Sequence, residues 1–563
     1  MATLTKRYIK GHPYYYAVQC QRVNGKPRLV WQKYLGTAEE IIHSLTKPTT
    51  LPRHGKLFNY GAPAALFLLA KRLGLIETVN HIVGKRNQGL GIGEYMTLAA
   101  INRCICPRSK RKFGEWYQKT ILPRLIPATS KQLSSQRFWD NMGQITQEHI
   151  NQIEKELSQT LIEKFKVDLS CLIYDPTNFF TYISTFNEKN KLAQRGRNKQ
   201  KRTDLRQVNL GLLVSRDFHI PLFHKVYEGN FNDRTEFEFV TEELVKRYQI
   251  LSKNCQNITI VYDKGNNSQE NQKRVDESKY HFVGSLVPSY NPDLLKMPLT
   301  DYQPLQGKEF EEEEKAYRTT LNVFGQERTV VVTYSPEFFL DQVKTIFLQI
   351  KKKTQRLSDL KEKLLKPHKK GKRVSLKSVK KKVEQILSGQ YMKDLIPVEL
   401  FKKDSRIHLS YQIDEKAREN LINTVFGKTI LFTDNHNWTT EEIVLAYRGQ
   451  AKIEQAFRQM KDPYFVSWYP MFHWTDQKIR VHAFYCVLAL MLSSLLQREL
   501  AQKNIFMSIP SIMESLNDIQ EIMLLYSPLE KKTSVKKHFI FSDIDKIQEL
   551  LFQTLGLEQF QMS

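Results

Sequence analysis

Between residues 167 and 287 the order of apolar and polar runs leaves few folds open. "VDLSCLIYDPTNFFTYIS" reads as a buried strand, a turn at Pro176-Thr177-Asn178, then more strand. "QVNLGLLVSRDFHIPLFHKVYEG" gives two further strands joined near Arg216-Asp217. "DRTEFEFVTEELVKRYQI" reads as a helix, and "NITIVYDKGNN" as a buried strand that ends at Asp263 and a glycine turn. "NSQENQKRVDES" and "HFVGSLV" add one helix and one strand. Three strands that can pair as a meander, followed by helix, strand, helix, strand, fit an α/β layer built on a mixed sheet.

The flanking sequence has other textures. Residues 1–50 form a β-hairpin unit, with Asn24-Gly25 between two strand-like runs, a strong short-range hairpin signal. Residues 51–165 read as helical: "APAALFLLAKRLGL" and "IGEYMTLAAINRCI" carry apolar residues at helical spacing. The α/β layer occupies 166–290 and pauses over an insertion, 291–425. The insertion holds a second hairpin, "RTTLNVFGQERTVVVTY", and a long helix, "FFLDQVKTIFLQIKKKTQRLSDLKEKLL". Residues 350–382 contain fifteen lysines and arginines. Such a run serves as a solvated face, a flexible arm or a phosphate-contacting arm. "KTILFTDN" resumes the layer over 426–500, and 501–563 closes the chain as a helical region.

The resumed part contains "TTEEIVLAYRGQAKIEQAFRQMKDP". Thr439 as N-cap with Glu442 three residues on is a capping box, and Pro463 ends the helix. Ile453, Ala456, Phe457 and Met460 form the core-facing stripe. Tyr447, Gln450, Glu454, Arg458 and Lys461 share a neighbouring face, while Arg448 points elsewhere. Glu454 is thus the one acid on a face of cations and amide. Taken singly it pairs with Arg458 at i, i+4.

A formal charge of +26 on 563 residues points to a polyanionic partner, most often nucleic acid. The length implies roughly two to four domains. No apolar leader follows "MATLTKRYIKGH", and the longest apolar run, "AFYCVLALMLSSLL", has fourteen residues, the length of a buried helix rather than a span. No membrane partner is therefore expected. Cys20, Cys104, Cys106, Cys171, Cys255 and Cys486 make no CxxC pair, so reduced thiols in a cytoplasmic protein are expected, without zinc.

Asp175 and Asp263 follow buried strands, where each alone could simply open a turn. With Glu454 they give three acids where an α/β sheet presents its sites. Converging carboxylates repel one another unless a divalent cation neutralises them, and oxygen ligands favour Mg²⁺ or Mn²⁺. Two such ions can activate a nucleophile and stabilise a leaving oxygen in phosphoryl transfer.

The chain resembles the Asp-Asp-Glu transposases of bacterial insertion sequences. Their signature is Tyr, two residues, Arg, three residues, Glu, six residues, Lys; here it reads Tyr447, Gln450, Glu454, Lys461. Gln450 departs from the pattern, with Arg448 and Arg458 close by in sequence. "YDPTNFF" looks like the family's first-Asp motif and "YDKGNNS" like its second. "RGRNKQKRTDLRQVNLGLLVSRDFHIPLFHKVYEGNFNDRTEF" and "HWTDQKIRVHAFYCVLAL" are similar to further family segments, so the likeness runs over most of the chain in the right order. It implies a ribonuclease-H-like mixed-sheet core split by an insertion, behind an N-terminal β-hairpin and a helical DNA-binding region. It implies Asp175, Asp263 and Glu454 as Mg²⁺ ligands. It implies DNA contacts from Tyr447 and Lys461, with Arg448, Gln450 and Arg458 beside them. It also implies cut-and-paste transposition of double-stranded DNA by a homodimer at the bacterial nucleoid. A structure-directed nuclease and a non-catalytic DNA-binding transposase derivative share the same motifs.

Overall fold

The computed structural model describes residues 2–23, 26–46, 52–84, 89–184, 186–198, 200, 202–231, 257–262, 269–278, 280–288, 291–366, 375–403, 406–526 and 537–562. They gather into two units: 1–65 with 117–125 and 514–563, and 66–116 with 126–513.

The first unit opens with an antiparallel sheet of β1 (Thr3–Ile9), β2 (His12–Val23) and β3 (Lys26–Gly36). The sequence signals one hairpin here, and Asn24-Gly25 lies outside the described residues. The extra strand comes from a two-residue turn in which Lys10 and Gly11 both take positive φ, 49° and 84°. That geometry matches the twist of paired strands, but lysine rarely announces it. β4 (His54–Asn59) lies in the region expected to be helical.

The second unit is mixed α/β. Its sheet contains β5 (Cys171–Thr181), β6 (Arg206–Ser215), β7 (Pro221–Glu228), β8 (Thr259–Val261), β9 (His281–Leu286), β10 (Gln303–Pro304), β11 (Lys315–Val323) and β12 (Gln326–Tyr334). The hairpin of β13 (Val398–Lys403) and β14 (Arg406–Tyr411) stands apart, and β15 (Lys428–Thr433) returns to the sheet. The spatial order is β10-β11-β12-β15-β9-β8-β5-β6-β7. β5, β6 and β7 form the expected antiparallel meander, and β8 and β9 run parallel to β5. The helix expected over 233–250 lies outside the described residues.

Two expectations change. The sequence puts the hairpin β11–β12 in the insertion, yet β12 pairs with β15 and so extends the main sheet. The turn at Pro176-Thr177-Asn178 is absent, because β5 runs straight through it, paired residue by residue with β6. Among the described residues β8 pairs with β5 only as far as Ile173, so Pro176 has one described neighbour strand, β6, and such a position tolerates a missing N–H.

The long helix Pro336–Leu365 packs Ile350, Leu357, Leu360 and Leu364 into a core shared with Val379 and Val383 of helix Leu376–Ile386 and with Ile407 and Leu409 of β14. The described part of the basic run 350–382 is therefore a packed helical pair with a charged outer face, and 367–374 lie outside the described residues. Helix Asp476–Gln502 is long and apolar enough to cross a bilayer, but 94% of its most apolar window is buried inside the protein.

β16 (Gln520–Leu525) and β17 (Lys537–Phe541) complete the first unit, pairing in the order β17-β16-β4. The region 501–563, expected to be helical, thus supplies two strands as well as helices Ile509–Asn517 and Lys546–Thr554. Tyr60 packs edge-on to Phe541 at 4.8 Å and against Phe552 at 6.0 Å, tying strand and helix together.

Candidate active site

The helix Thr440–Lys461 sets the site. Its N-terminus is the expected capping box: Thr439 Oγ1 accepts from the Glu442 N–H at 3.1 Å, and the Glu442 carboxylate accepts from the Thr439 N–H at 2.7 Å. Such a cap stabilises a helix by about 1 kcal/mol. Ile453, Ala456, Phe457 and Met460 are buried as the periodicity requires. A glycine at position 449 inside the helix costs about 1 kcal/mol relative to alanine. It permits close approach to β5: a Cβ there would lie 2.7 Å from Ile173 Cδ1 and 3.3 Å from Arg216 Cγ.

Lys461 binds the far end of this helix to β5, and Trp468 and Tyr469 bind the chain just beyond it. Lys461 Nζ donates to Thr177 Oγ1 at 2.7 Å and stands 5.4 Å from the Phe179 ring centroid. Phe179 also stacks on Trp468, 4.2 Å apart and 12° from parallel, an arrangement worth about 0.5–1.5 kcal/mol beyond burial. Tyr469 OH donates to the Phe180 carbonyl at 3.1 Å. Behind Trp468 lies a buried basic cluster. His482 Nε2 donates to the Trp468 carbonyl at 2.7 Å. Burial, then the charges of Lys110, Arg103 and Lys478, push His473 down to about 3, and burial likewise lowers His482 and Lys110. His473 is therefore neutral near pH 7.

Asp175 and Glu454 line the same cavity, of about 1290 Å³, with Thr177, Asn178, Arg195, Arg197, Arg458 and Lys461. Asp175 sits mid-strand, opposite Leu212 of β6, rather than at a strand end. Asp263 lies outside the described residues. Among the described residues no group of three His, Cys, Asp or Glu forms a metal-binding cluster.

A second cavity, of about 670 Å³, also reaches Asp175 and Glu454. It is lined by Glu309, Glu311, Glu314 and Glu337 together with Tyr447, Arg448 and Gln450. The five residues expected to contact DNA are therefore divided: Arg458 and Lys461 face the first cavity, the other three the second. Tyr447 OH donates to Ser285 Oγ at 2.8 Å. The Arg448 guanidinium pairs with the Glu314 carboxylate, which is only 6% exposed, and lies 5.0 Å over the Phe310 ring. Gln450 is 8% exposed.

Arg195 and Arg197 also line the first cavity, and no sequence motif marks them as site residues. Their loop is held by backbone closeness and amides. A Cβ on Gly196 would lie 1.9 Å from the Gly229 carbonyl oxygen. Gln207 Nε2 donates to the carbonyls of Gly229 at 2.7 Å and Arg197 at 3.1 Å. Asn198 accepts from the Arg202 N–H at 2.8 Å and donates back to the Arg202 carbonyl at 2.8 Å. Arg202 in turn pairs with Asp204, whose carboxyl is pulled down to about 2. The only sequence signal was the basic, glycine-punctuated run "RGRNKQKR".

No protein-family model matches the chain. No curated protein matches it either. Among solved structures it is similar to a piggyBac transposase in a synaptic complex with hairpin DNA, at 9% identity and a TM-score of 0.36, over 83% of this chain and 82% of that one. A likeness of that size fixes neither fold nor function.

Proposed function

We propose that this chain is a DNA transposase of the Asp-Asp-Glu class, built on a ribonuclease-H-like core, that cuts the ends of its element and joins the freed 3′-OH to target DNA. One observation carries the reading. Asp175 from the sheet and Glu454 from a helix remote in sequence share a cavity with Arg195, Arg197, Arg458 and Lys461. Acids for chemistry and cations for a phosphodiester are the two needs of phosphoryl transfer to or from DNA. Further support comes from register. Ile173 on β5 and Val261 on β8 are partners on adjacent parallel strands. Asp175 and Asp263 each stand two residues beyond them in the sequence.

The donor set suits a hard divalent cation, Mg²⁺ or Mn²⁺, since it consists of carboxylate oxygens. Asp175, Asp263 and Glu454 would hold one or two such ions, which when bound supply activation of the attacking oxygen and stabilisation of the leaving one. The chain's own cations do the rest. Lys461, fixed to Thr177, and Arg458 hold phosphate oxygens on the helix side, and Arg195 and Arg197 hold them from the loop. Cut-and-paste chemistry on two ends calls for two chains acting together on DNA.

The test is incubation of the purified chain with Mg²⁺, a duplex carrying the DNA that flanks its gene, and a target plasmid. Cleavage at the ends with joining to the plasmid is the expected result. Cleavage without joining identifies a nuclease, and binding without cleavage in either Mg²⁺ or Mn²⁺ identifies a non-catalytic derivative.

A further inference from the structure

Residues 1–36 contain seven lysines and arginines and no aspartate or glutamate; the first acid is Glu39. That imbalance falls on one structural element, the sheet β1-β2-β3. Lys6, Arg7, Lys10, Arg28 and Lys33 are all exposed. So are the large side chains between them: Tyr8 is 66% exposed, Trp31 46% and Tyr34 52%. A sheet of this size without acids and with this much open surface is a half-made interface.

The rings hold the cations in place. Lys6 Nζ lies 4.9 Å from the Tyr8 ring centroid, and the Arg7 guanidinium 4.9 Å from that of Tyr16. Arg7 also donates to Gln32 Oε1 across the sheet at 3.3 Å. Tyr34 packs against Tyr16 at 5.2 Å and against Tyr14 at 6.0 Å. Several of the π faces are thus engaged by a cation or by another ring. A platform for unpaired bases needs such faces open for stacking. Rings that brace guanidinium and ammonium groups suit an array of phosphates instead. Three strands spaced about 4.8 Å apart span about 10 Å, which matches a duplex major groove about 12 Å wide.

We infer that the β1-β2-β3 sheet is a second nucleic-acid surface of this protein, which docks on duplex DNA chiefly through backbone phosphates. This assignment rests on charge, exposure and ring packing in the first unit and uses none of the carboxylates of the proposed active site. It would stand for a nuclease or a non-catalytic DNA-binding protein as well as for a transposase.

The experiment measures duplex binding by the full-length protein across a range of salt concentrations. One variant combines Lys6→Ala, Arg7→Ala, Arg28→Ala and Lys33→Ala. A second exchanges the same residues conservatively (Lys6→Arg, Arg7→Lys, Arg28→Lys, Lys33→Arg). Two single changes, Arg28→Ala and Lys33→Ala, keep the test decisive should the fourfold alanine variant fold poorly. The fourfold alanine variant should bind duplex at least tenfold more weakly, with the slope of log affinity against log salt reduced by about 3 to 4. Each single change should reduce it by about 0.9, and the conservative variant should keep the wild-type slope. Unchanged slopes in the single variants overturn the inference. Equal loss in the conservative variant, or a loss confined to single-stranded DNA, overturns it too. Loss of cleavage in Glu454→Gln with these slopes intact would bear on the active site alone.

Discussion

On one side of Asp175 and Glu454 the larger cavity presents Arg195, Arg197, Arg458 and Lys461; on the other, the smaller one presents Glu309, Glu311, Glu314 and Glu337 around Arg448. The same two carboxylates border both. A phosphodiester meets attraction in the first and like charge in the second, and the contrast is strongest at low salt, where screening is weak. The one arginine of the acidic side is already paired with a nearly buried glutamate and stacked on Phe310. The comparison teaches that a basic helix need not offer all its cations to DNA. Under the proposed function Lys461 and Arg458 hold phosphate, whereas Arg448 bonds to the acidic segment 309–314. On this account DNA enters from the Lys461 side and the acidic wall keeps it there.

The largest effect short of the carboxylates should come from Lys461→Ala. It removes the cation that joins the helix to Thr177, and a hydrogen bond of a charged group carries about 1.5–3 kcal/mol. Cleavage should slow by about 10- to 100-fold, with Lys461→Arg recovering part of the rate. An unaltered rate for the alanine variant removes Lys461 from the basic side. Next in size, Arg195→Ala with Arg197→Ala should weaken duplex binding about tenfold and lower the salt slope by about 1.8. Binding titrations that leave the slope unchanged would reduce the loop to scaffold.

The acidic side makes the opposite forecast. Glu314→Gln breaks the pair with Arg448 and removes one repelling charge. Thermal stability should fall, since the surviving guanidinium loses its partner, while duplex affinity rises by about threefold, or roughly 0.6 kcal/mol. A fall in both would show that Arg448 belongs to the DNA-binding side after all. Smallest is Gln450→Arg. The position is nearly buried and opens on the acidic cavity, so the added guanidinium should be taken up by those glutamates. Affinity should change by less than about threefold; a tenfold gain would place position 450 against phosphate.

How far the sequence shows this depends on how local each feature is. The Glu454 helix is legible because its capping box and apolar stripe lie within one stretch of chain. The mixed sheet is legible because its strands follow one another in pattern. Asp175 misleads because Pro-Thr-Asn is a turn signal, and only pairing with β6, thirty-odd positions away in register, overrides it. Arg195 and Arg197 reach the site through contacts among Gly196, Gln207 and Gly229, which no spacing rule anticipates. Nothing local in the run "EFEEEEK" marks a partner for Glu314, which the fold brings to Arg448. Lys10-Gly11 hides the strand β1 because the turn it makes is usually announced by Asn or Asp before the glycine.

The central claim is that the cations bind DNA and the carboxylates do chemistry. Glu454→Gln tests it most directly, because it keeps the side chain's shape and removes the anionic oxygen ligand. Affinity and Mg²⁺-dependent cleavage should be measured in the same samples, on one duplex carrying the gene's flanking DNA, beside wild type. The account predicts binding equal to wild type or tighter, since a negative charge has left the cavity, with cleavage lower by several orders of magnitude. Asp175→Asn and Asp263→Asn should behave alike. Near-wild-type cleavage by Glu454→Gln would contradict the account, leaving Glu454 as a structural acid on a DNA-binding helix.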